Sequence, residues 1–258
     1  MNILEILKSI FKNNCPEKDI LIEDLQNQLD DMDEEIIELQ EKLLELANPD
    51  PEGWEKYWKD KYHKKNVSYK RVEKDGTYEI DVRNYFQIND SNTPTVEGKT
   101  NDEKALNGLK LVHKLIKYVA DKTEYGYDEF WAYAYQTLKR GHGDCEDMHI
   151  LLANVLQKSK VPYWKLRLVA GDTPTGGHCY LVYLLDDNSK WVTLDVCYYY
   201  NTLPVAQRPD YKDDKLYGNV WFSWNSEFAF RGATYTTSVI SDKILSKIII
   251  KDASKETD

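Results

Sequence analysis

The sequence predicts an α+β fold, in which an apolar helix packs on an antiparallel sheet and a helical, coiled-coil-like arm precedes both. A glycine-rich loop leads into an apolar run with helical spacing, GHGDCEDMHILLANVL at residues 141–156. Two strand-like segments, HCYLVYLL and KWVTLDVCY, follow on either side of a polar turn. Near the N-terminus, an apolar heptad pattern runs without a miss from Ile22 to Leu46.

The heptad pattern favours a coiled coil over a helix packed on its own domain. Its apolar stripe is narrow, and its outward positions are almost all charged or amide residues. We expect a homo-oligomer or a partner helix through residues 22–46; the partner could also be the amphipathic helix at residues 2–11 folded back. The a positions are Ile22, Leu29, Ile36 and Leu43, and the d positions are Leu25, Met32, Leu39 and Leu46.

A proline-rich segment, NPDPEG, predicts the domain boundary, because proline and glycine end helices. We therefore divide the chain into an arm at residues 1–48, a linker at 49–53 and a larger domain at 54–258. In that domain the patterns predict a helix at 54–65, a hairpin at 67–82 and a helix that starts at the capping box of Thr100 and runs to Val119. Strands are expected near 164–170, 178–185 and 190–198, and further strand or ordered coil at 220–224 and 234–240.

Composition limits the partners and the compartment. The chain has 44 acidic and 34 basic residues in 258, which argues against generic nucleic-acid binding. No apolar run is long enough to span a membrane, and the N-terminus lacks the basic region and cleavage site of a signal peptide. Four widely spaced cysteines do not form a disulfide framework. We expect a cytoplasmic protein, or a virion-associated one if it comes from a phage.

Cys145 stands where a reactive thiol would stand. It falls in the first turn of the predicted helix, where Asp144 can cap the helix and the backbone N–H groups favour thiolate over thiol. A structural cysteine gains nothing from this position, whereas a nucleophile does. Cys197 is the rival, but a strand offers no helix dipole.

The two strands after the helix predict a partner for this thiol. If Leu185 pairs with Lys190, then Tyr180 faces Asp195, and alternation places His178 on the same face. His178 and Asp195 are then diagonal neighbours, roughly 7–8 Å apart at the backbone and within side-chain reach. An imidazole aligned with a carboxylate, beside a helix-start cysteine, is typical of a nucleophile, its base and the group that orients the base.

Other polar residues near the loop have plainer interpretations. His142 and His149 with Cys145 could mimic a metal site, but zinc normally takes four ligands, so we expect no metal and no cofactor. His149 is interpreted as a packed helix residue, His142 as a loop residue near the cleft, and Asp147 as a brace for the helix start. Trp131 is either an oxyanion donor or cleft wall, or a core residue, and Asp144 is a further candidate for the cleft or the oxyanion site.

These motifs resemble the transglutaminase-like superfamily of papain-like cysteine enzymes, including its bacterial and phage members. The matching stretches are GDCED, LLANVLQKSKVPYWKLRLVAG, GGHCYLVYL and WVTLD, and the resemblance covers about residues 101–201. Cys145, His178 and Asp195 occur in the order of the superfamily's catalytic triad. Cys179 stands where many members have alanine and Val196 where many have proline; neither change removes a catalytic group.

The resemblance implies a papain-like, transglutaminase-like core and a catalytic domain at residues 54–258. It implies acyl transfer on a peptide or carboxamide bond through Cys145, His178 and Asp195. Hydrolysis by a peptidase or amidase is favoured, with transglutamination possible. Two other classes stay open: a non-enzymatic assembly or virion protein with the domain as scaffold, and a carbohydrate or cell-wall-peptide binder that uses aromatics such as those at residues 198–200.

Overall fold

The computed structural model describes residues 58–232 except Asp60, the backbone of a strand at 248–252, and seven helical residues between 24 and 39. The side chain of His63 is also outside the description. The chain divides into two compact units, Met1–Pro51 and Glu52–Asp258, and each is described by itself. The segment 234–240, expected to be strand or ordered coil, lies outside the described residues.

In the first unit, the seven described residues are helical and exposed. They include four positions of the apolar heptad, Leu25, Met32, Ile36 and Leu39, which are 41 to 56% exposed. The rest of the heptad, and with it the predicted coiled coil, falls outside the described residues.

The described part of the second unit is built on an antiparallel sheet. Eight strands form it in the order β10-β1-β9-β8-β5-β6-β7, with β2 paired to β1. The strands are β1 His63–Glu73, β2 Gly76–Asp81, β5 Leu166–Thr173, β6 Gly176–Leu184, β7 Trp191–Leu194, β8 Val220–Trp224, β9 Ala229–Arg231 and β10 Ile248–Asp252. A separate parallel pair joins β3 Lys117–Tyr118 to β4 His142–Gly143.

Four α-helices lie between these strands in the described part of that unit: α1 Asn101–Leu115, α2 Asp121–Glu124, α3 Ala134–Arg140 and α4 Cys145–Lys158. Helix α4 is buried from Glu146 to Leu156, and its apolar side chains join those of β5 and β6 in the main core. The prediction of a helix packed on an antiparallel sheet is confirmed. No helix in the described residues is long and apolar enough to cross a membrane.

Two predicted helices end earlier than expected, because strand pairing competes with them. The helix expected over 54–65 gives way to β1 at His63, where Lys64 pairs with Phe230 of β9. At α1 the Thr100 hydroxyl caps the Glu103 N–H at 3.1 Å, as predicted. That helix stops at Leu115 rather than at 119, since the next residues pair with β4.

The hairpin predictions are confirmed. Strands β1 and β2 pair around the turn that was expected there. In the β6–β7 hairpin, Leu181 pairs with Leu194 and Leu184 with Trp191, and the Leu185 N–H donates to the Lys190 carbonyl at 3.2 Å. This register places position 178 on β6 and position 195 directly after β7, in the diagonal relation that the sequence predicted.

Candidate active site

The nucleophile candidate, Cys145, is the first residue of α4. Helix α3 ends at Gly141, whose φ of 74° favours glycine, and β4 then pairs with β3 before the chain enters α4. The Cys145 thiol lies beside β6, because its Sγ accepts the Cys179 backbone N–H at 3.5 Å. Tertiary contacts therefore bring the start of the helix against the strand that carries His178.

Asp144 takes the N-cap position of α4 but does not cap it. Its backbone is extended, as an N-cap requires, yet its side chain makes no capping hydrogen bond. The carboxylate instead turns toward Glu146 and Asp121, with which it forms a buried cluster. The predicted cap is therefore wrong, since the side chain is used in a tertiary contact.

His178 and Asp195 form the predicted pair. His178 Nε2 lies 2.7 Å from Asp195 Oδ2, and both side chains are almost wholly buried. Burial alone would raise the pKa of Asp195, but the hydrogen bond from His178 and the nearby imidazoles lower it to about 2. An ionised carboxylate only accepts, so Nε2 carries the proton and the neutral ring keeps its lone pair on Nδ1.

Asp195 is held by further donors. Its Oδ1 accepts the backbone N–H groups of Cys197 at 2.8 Å and Tyr198 at 3.2 Å. The hydroxyl of Tyr217 donates to its Oδ2 at 3.1 Å. The sequence analysis missed Tyr217, because it lies in a segment with no recognisable pattern and reaches the site only through the fold.

The thiol and the imidazole line the same cleft, which has a volume of about 370 Å³. His178 Nδ1 is buried and has no hydrogen-bond partner among the described residues. The ring of Trp221 forms part of the wall, and it requires glycine at position 177, where a Cβ would come within 2.4 Å of the indole. The Nδ1 lone pair is thus available on the cleft side of the His178–Asp195 pair.

The protonation state of Cys145 differs from the one expected at a helix start. Burial raises the pKa of the Cys145 thiol well above its usual range, and the charge of Asp144 adds to this rise. The thiol donates to Glu146 Oε2 at 3.3 Å instead of to His178. The neutral thiol is therefore favoured over the expected thiolate, first because of burial and then because of the charge of Asp144.

The two other histidines of the loop and helix are not brought into the cleft. His142 lies in β4, where its Nδ1 is 3.5 Å from Glu124. His149 is fully buried in α4, as predicted. Its Nε2 accepts the Val196 N–H at 3.0 Å and its Nδ1 donates to the Cys145 carbonyl at 2.7 Å, so it links the helix to the end of β7.

Asp147 and Trp131 are the remaining candidates from the sequence. Asp147 is fully buried and accepts the Ala132 N–H at 2.7 Å, so it braces the helix start as predicted. Trp131 lines the cleft, but its ring is stacked in the core and its indole N–H donates to Glu129 at 2.8 Å. Trp131 is therefore a wall of the cleft whose only polar hydrogen is already engaged.

Three buried carboxylates could hold a cation beside the thiol. One oxygen from each of Asp121, Asp144 and Glu146 lies within 4.8 Å of the others. Burial and mutual repulsion raise the pKa values of Asp144 and Glu146. The sequence expectation of no metal did not include Asp121, which joins the other two only in the folded chain.

A partly exposed cysteine at a helix start, with a histidine on one strand and an aspartate just after the neighbouring antiparallel strand, is typical of sites that use a cysteine nucleophile. Residues 80–194 match the family model described as bacterial transglutaminase-like cysteine proteinase. This match supports the resemblance to the transglutaminase-like superfamily that the motifs predicted. A comparison with curated proteins finds no match.

Several solved structures are similar to this chain. Legionella pneumophila LapG, EGTA-treated, has 21% identity and a TM-score of 0.41, over 59% of this chain and 72% of that chain. A second structure of Legionella pneumophila LapG has 22% identity and a TM-score of 0.42, over 54% and 74%. The calcium-bound form has 19% identity and a TM-score of 0.39, over 58% and 90%.

Proposed function

We propose that this protein is a cysteine peptidase that hydrolyses a peptide bond with Cys145, His178 and Asp195 as its triad. One observation carries the proposal: the 2.7 Å bond from His178 to Asp195 leaves Nδ1 of the imidazole without a partner in the cleft that holds the Cys145 thiol. That geometry supplies a nucleophile, a base and a group that orients the base.

The reaction follows from these positions. As Cys145 Sγ attacks the substrate carbonyl, its proton moves to His178 Nδ1, and Asp195 stabilises the imidazolium without taking a proton. The tetrahedral intermediate collapses when His178 returns this proton to the leaving amine, which breaks the C–N bond and leaves a thioester. Water then attacks the thioester, His178 accepts its proton and passes it to the departing thiolate, and the acid is released.

The raised pKa of Cys145 favours this order of reaction steps over a resting ion pair of Cys145 thiolate and His178 imidazolium. The Cys145 thiol donates a hydrogen bond to Glu146, and its pKa is raised. It must therefore lose its proton while Sγ attacks the substrate, so proton transfer and attack are coupled. Hydrolysis and transamidation share the thioester and differ only in the group that attacks it.

An incubation with denatured casein tests the proposal. We expect new peptide ends by mass spectrometry with the wild-type chain and none with Cys145→Ala. Addition of cadaverine separates the two outcomes, since a transglutaminase would attach the amine to glutamine side chains. Absence of both products, with Cys145 inert to thiol probes, would favour the assembly or binding functions instead.

We further propose that a divalent cation binds at Asp121, Asp144 and Glu146. The donor set fits Ca²⁺ or Mg²⁺, which take carboxylate oxygens, and Oδ1 of Asp144 and Oε1 of Glu146 are buried without hydrogen-bond partners among the described residues. A bound cation would neutralise the carboxylates beside the Cys145 thiol.

A further inference from the structure

Two tyrosines stand at the mouth of the candidate cleft, joined through their hydroxyls. The oxygens of Tyr118 and Tyr198 are 2.6 Å apart, and their rings are in contact at 5.4 Å between centroids. Both side chains are close to half exposed, and both line the cleft with Cys145 and His178. Large aromatic rings left open to solvent beside a nucleophile are suited to contact with a substrate.

Each tyrosine is fixed by one part of the candidate triad. Tyr118 lies in β3, where it pairs with Gly143 just before Cys145. Tyr198 follows β7, where its backbone N–H donates to Asp195 Oδ1 at 3.2 Å, and its ring lies 4.8 Å from the His178 ring. The hydroxyl pair therefore bridges the segment that carries the nucleophile and the segment that carries Asp195.

The oxygen of the reacting carbonyl needs hydrogen-bond donors, and one of them can be identified. The Cys145 backbone N–H lies in the first turn of α4, where it has no acceptor within the helix. A second donor must come from the cleft wall.

Most side-chain N–H groups along the described wall are already used. Among the described side chains of the cleft wall, Lys122 is another strong donor with protons to spare, but its side chain is 74% exposed and paired with Asp128. The engaged donors are the indole of Trp131 on Glu129, the indole of Trp221 on Asp172 and the His178 imidazole on Asp195.

The Tyr118–Tyr198 pair has one O–H group that is not used in the hydrogen bond between the two tyrosines. Whichever tyrosine donates to the other, the second retains an O–H that has no acceptor among the described residues. The wall thus offers a neutral, positioned donor at Tyr118 and Tyr198, and this donor is already oriented by the hydrogen bond between them.

We propose that the Tyr118–Tyr198 pair donates this hydrogen bond to the substrate carbonyl and is the second oxyanion donor of the site. The inference rests on the proposed acyl-transfer function. The hydrogen bond from a tyrosine hydroxyl becomes stronger as the substrate carbonyl becomes an oxyanion. The Tyr118–Tyr198 pair therefore lowers the barrier of acylation more than it tightens binding of the substrate.

Two reagents test this role against a structural one. p-Nitrophenyl acetate acylates a thiol through an oxyanion, whereas iodoacetamide alkylates it without one. Both rates are measured on the full chain for wild type, Tyr118→Phe, Tyr198→Phe and the double variant, with Cys145→Ala as the blank. Tyr135→Phe is the matched control, because Tyr135 is 40% exposed and lies outside the cleft wall.

We expect the double variant to acylate roughly 10²-fold more slowly, as for loss of an oxyanion donor, with alkylation within about twofold of wild type. Equal losses of both rates, or an unchanged acylation rate, would overturn the inference. A slower acylation in Lys122→Met, with acylation unchanged in the tyrosine variants, would assign the donor to that lysine. A wild-type chain that neither acylates nor alkylates at Cys145 would refute the proposed function itself.

Discussion

His178 on β6 and Asp195 directly after β7 stand diagonally across the hairpin, and His178 Nε2 lies 2.7 Å from Asp195 Oδ2. The hairpin register alone brings them together, and Tyr217 and the backbone N–H groups of residues 197 and 198 then hold the carboxylate in place. Because Asp195 accepts the hydrogen bond from the Nε2–H group of His178, the ring presents Nδ1 as a base. This relation underlies the proposed chemistry and the first two predictions.

Cys145 is expected to be the most reactive of the cysteines. It is partly exposed in the cleft that His178 lines, whereas Cys179 lines the same cleft but is buried. Iodoacetamide labelling followed by peptide mapping should modify Cys145 first. Equal labelling of Cys15 and Cys145 would contradict the prediction.

Replacement of the proposed base should abolish turnover. We expect His178→Ala to remove activity and the selective labelling of Cys145, because the variant lacks the imidazole whose Nδ1 lone pair is without a partner among the described residues of the cleft. Asp195→Asn should cost on the order of 10⁴-fold in kcat, since the imidazole loses its required tautomer.

His142→Ala is the control for this series. His142 faces Glu124 and does not line the cleft, so its removal should leave activity close to wild type. If His142→Ala inactivates the protein while His178→Ala is tolerated, the base has been assigned to the wrong histidine.

His149 should make the folded state less stable in mild acid. Burial lowers the pKa of His149 to about 4, although Asp195 opposes the shift. The His149 side chain has a pKa of about 6.5 in the unfolded chain, and above that pH it is neutral in both the folded and the unfolded state. Below that pH it binds a proton in the unfolded chain but stays neutral in the folded one. Stability therefore falls between pH 6.5 and 4, by up to roughly 3 kcal/mol. The contribution of Asp195 is lost only at lower pH.

Urea unfolding of wild type and His149→Gln at pH 7 and pH 5 checks this dependence. Glutamine can still donate to the Cys145 carbonyl and accept from Val196, but it does not titrate. We expect a smaller loss of stability between the two pH values in the variant. The same loss in both proteins would show that another group is responsible.

A divalent cation should stabilise the protein through the carboxylate cluster. We expect Ca²⁺ to raise Tm relative to EGTA in the wild-type chain, because it offsets the repulsion among Asp121, Asp144 and Glu146. Asp121→Asn should largely remove this shift while leaving the residues that flank Cys145 intact. An equal Ca²⁺ effect in both proteins would place the cation elsewhere.

The N-terminal heptad predicts self-association of the full chain. An apolar seam at residues 22–46 is unfavourable in water, and its four described members are exposed. Light scattering should show an oligomer for the full chain and a folded monomer, still reactive at Cys145, for a chain that begins at Trp54. A monomeric full chain, or an insoluble shorter one, would show that the arm packs on the domain.

The sequence alone determined the elements that depend on short-range patterns. A periodic apolar run fixed α4, and a four-residue turn between alternating strands fixed the register that pairs positions 178 and 195. Local signals also gave the Thr100 cap and the first hairpin. Such features depend on neighbours a few residues away, so their physics is visible in the chain itself.

Only the tertiary structure decided the electrostatics around the thiol. The helix start predicted a thiolate, but burial and the carboxylates of Asp144 and Glu146 hold the proton on Cys145. Asp121, Tyr118 and Tyr217 reach the site from segments with no motif, because long-range packing, not sequence spacing, sets which side chains share a low-dielectric cleft.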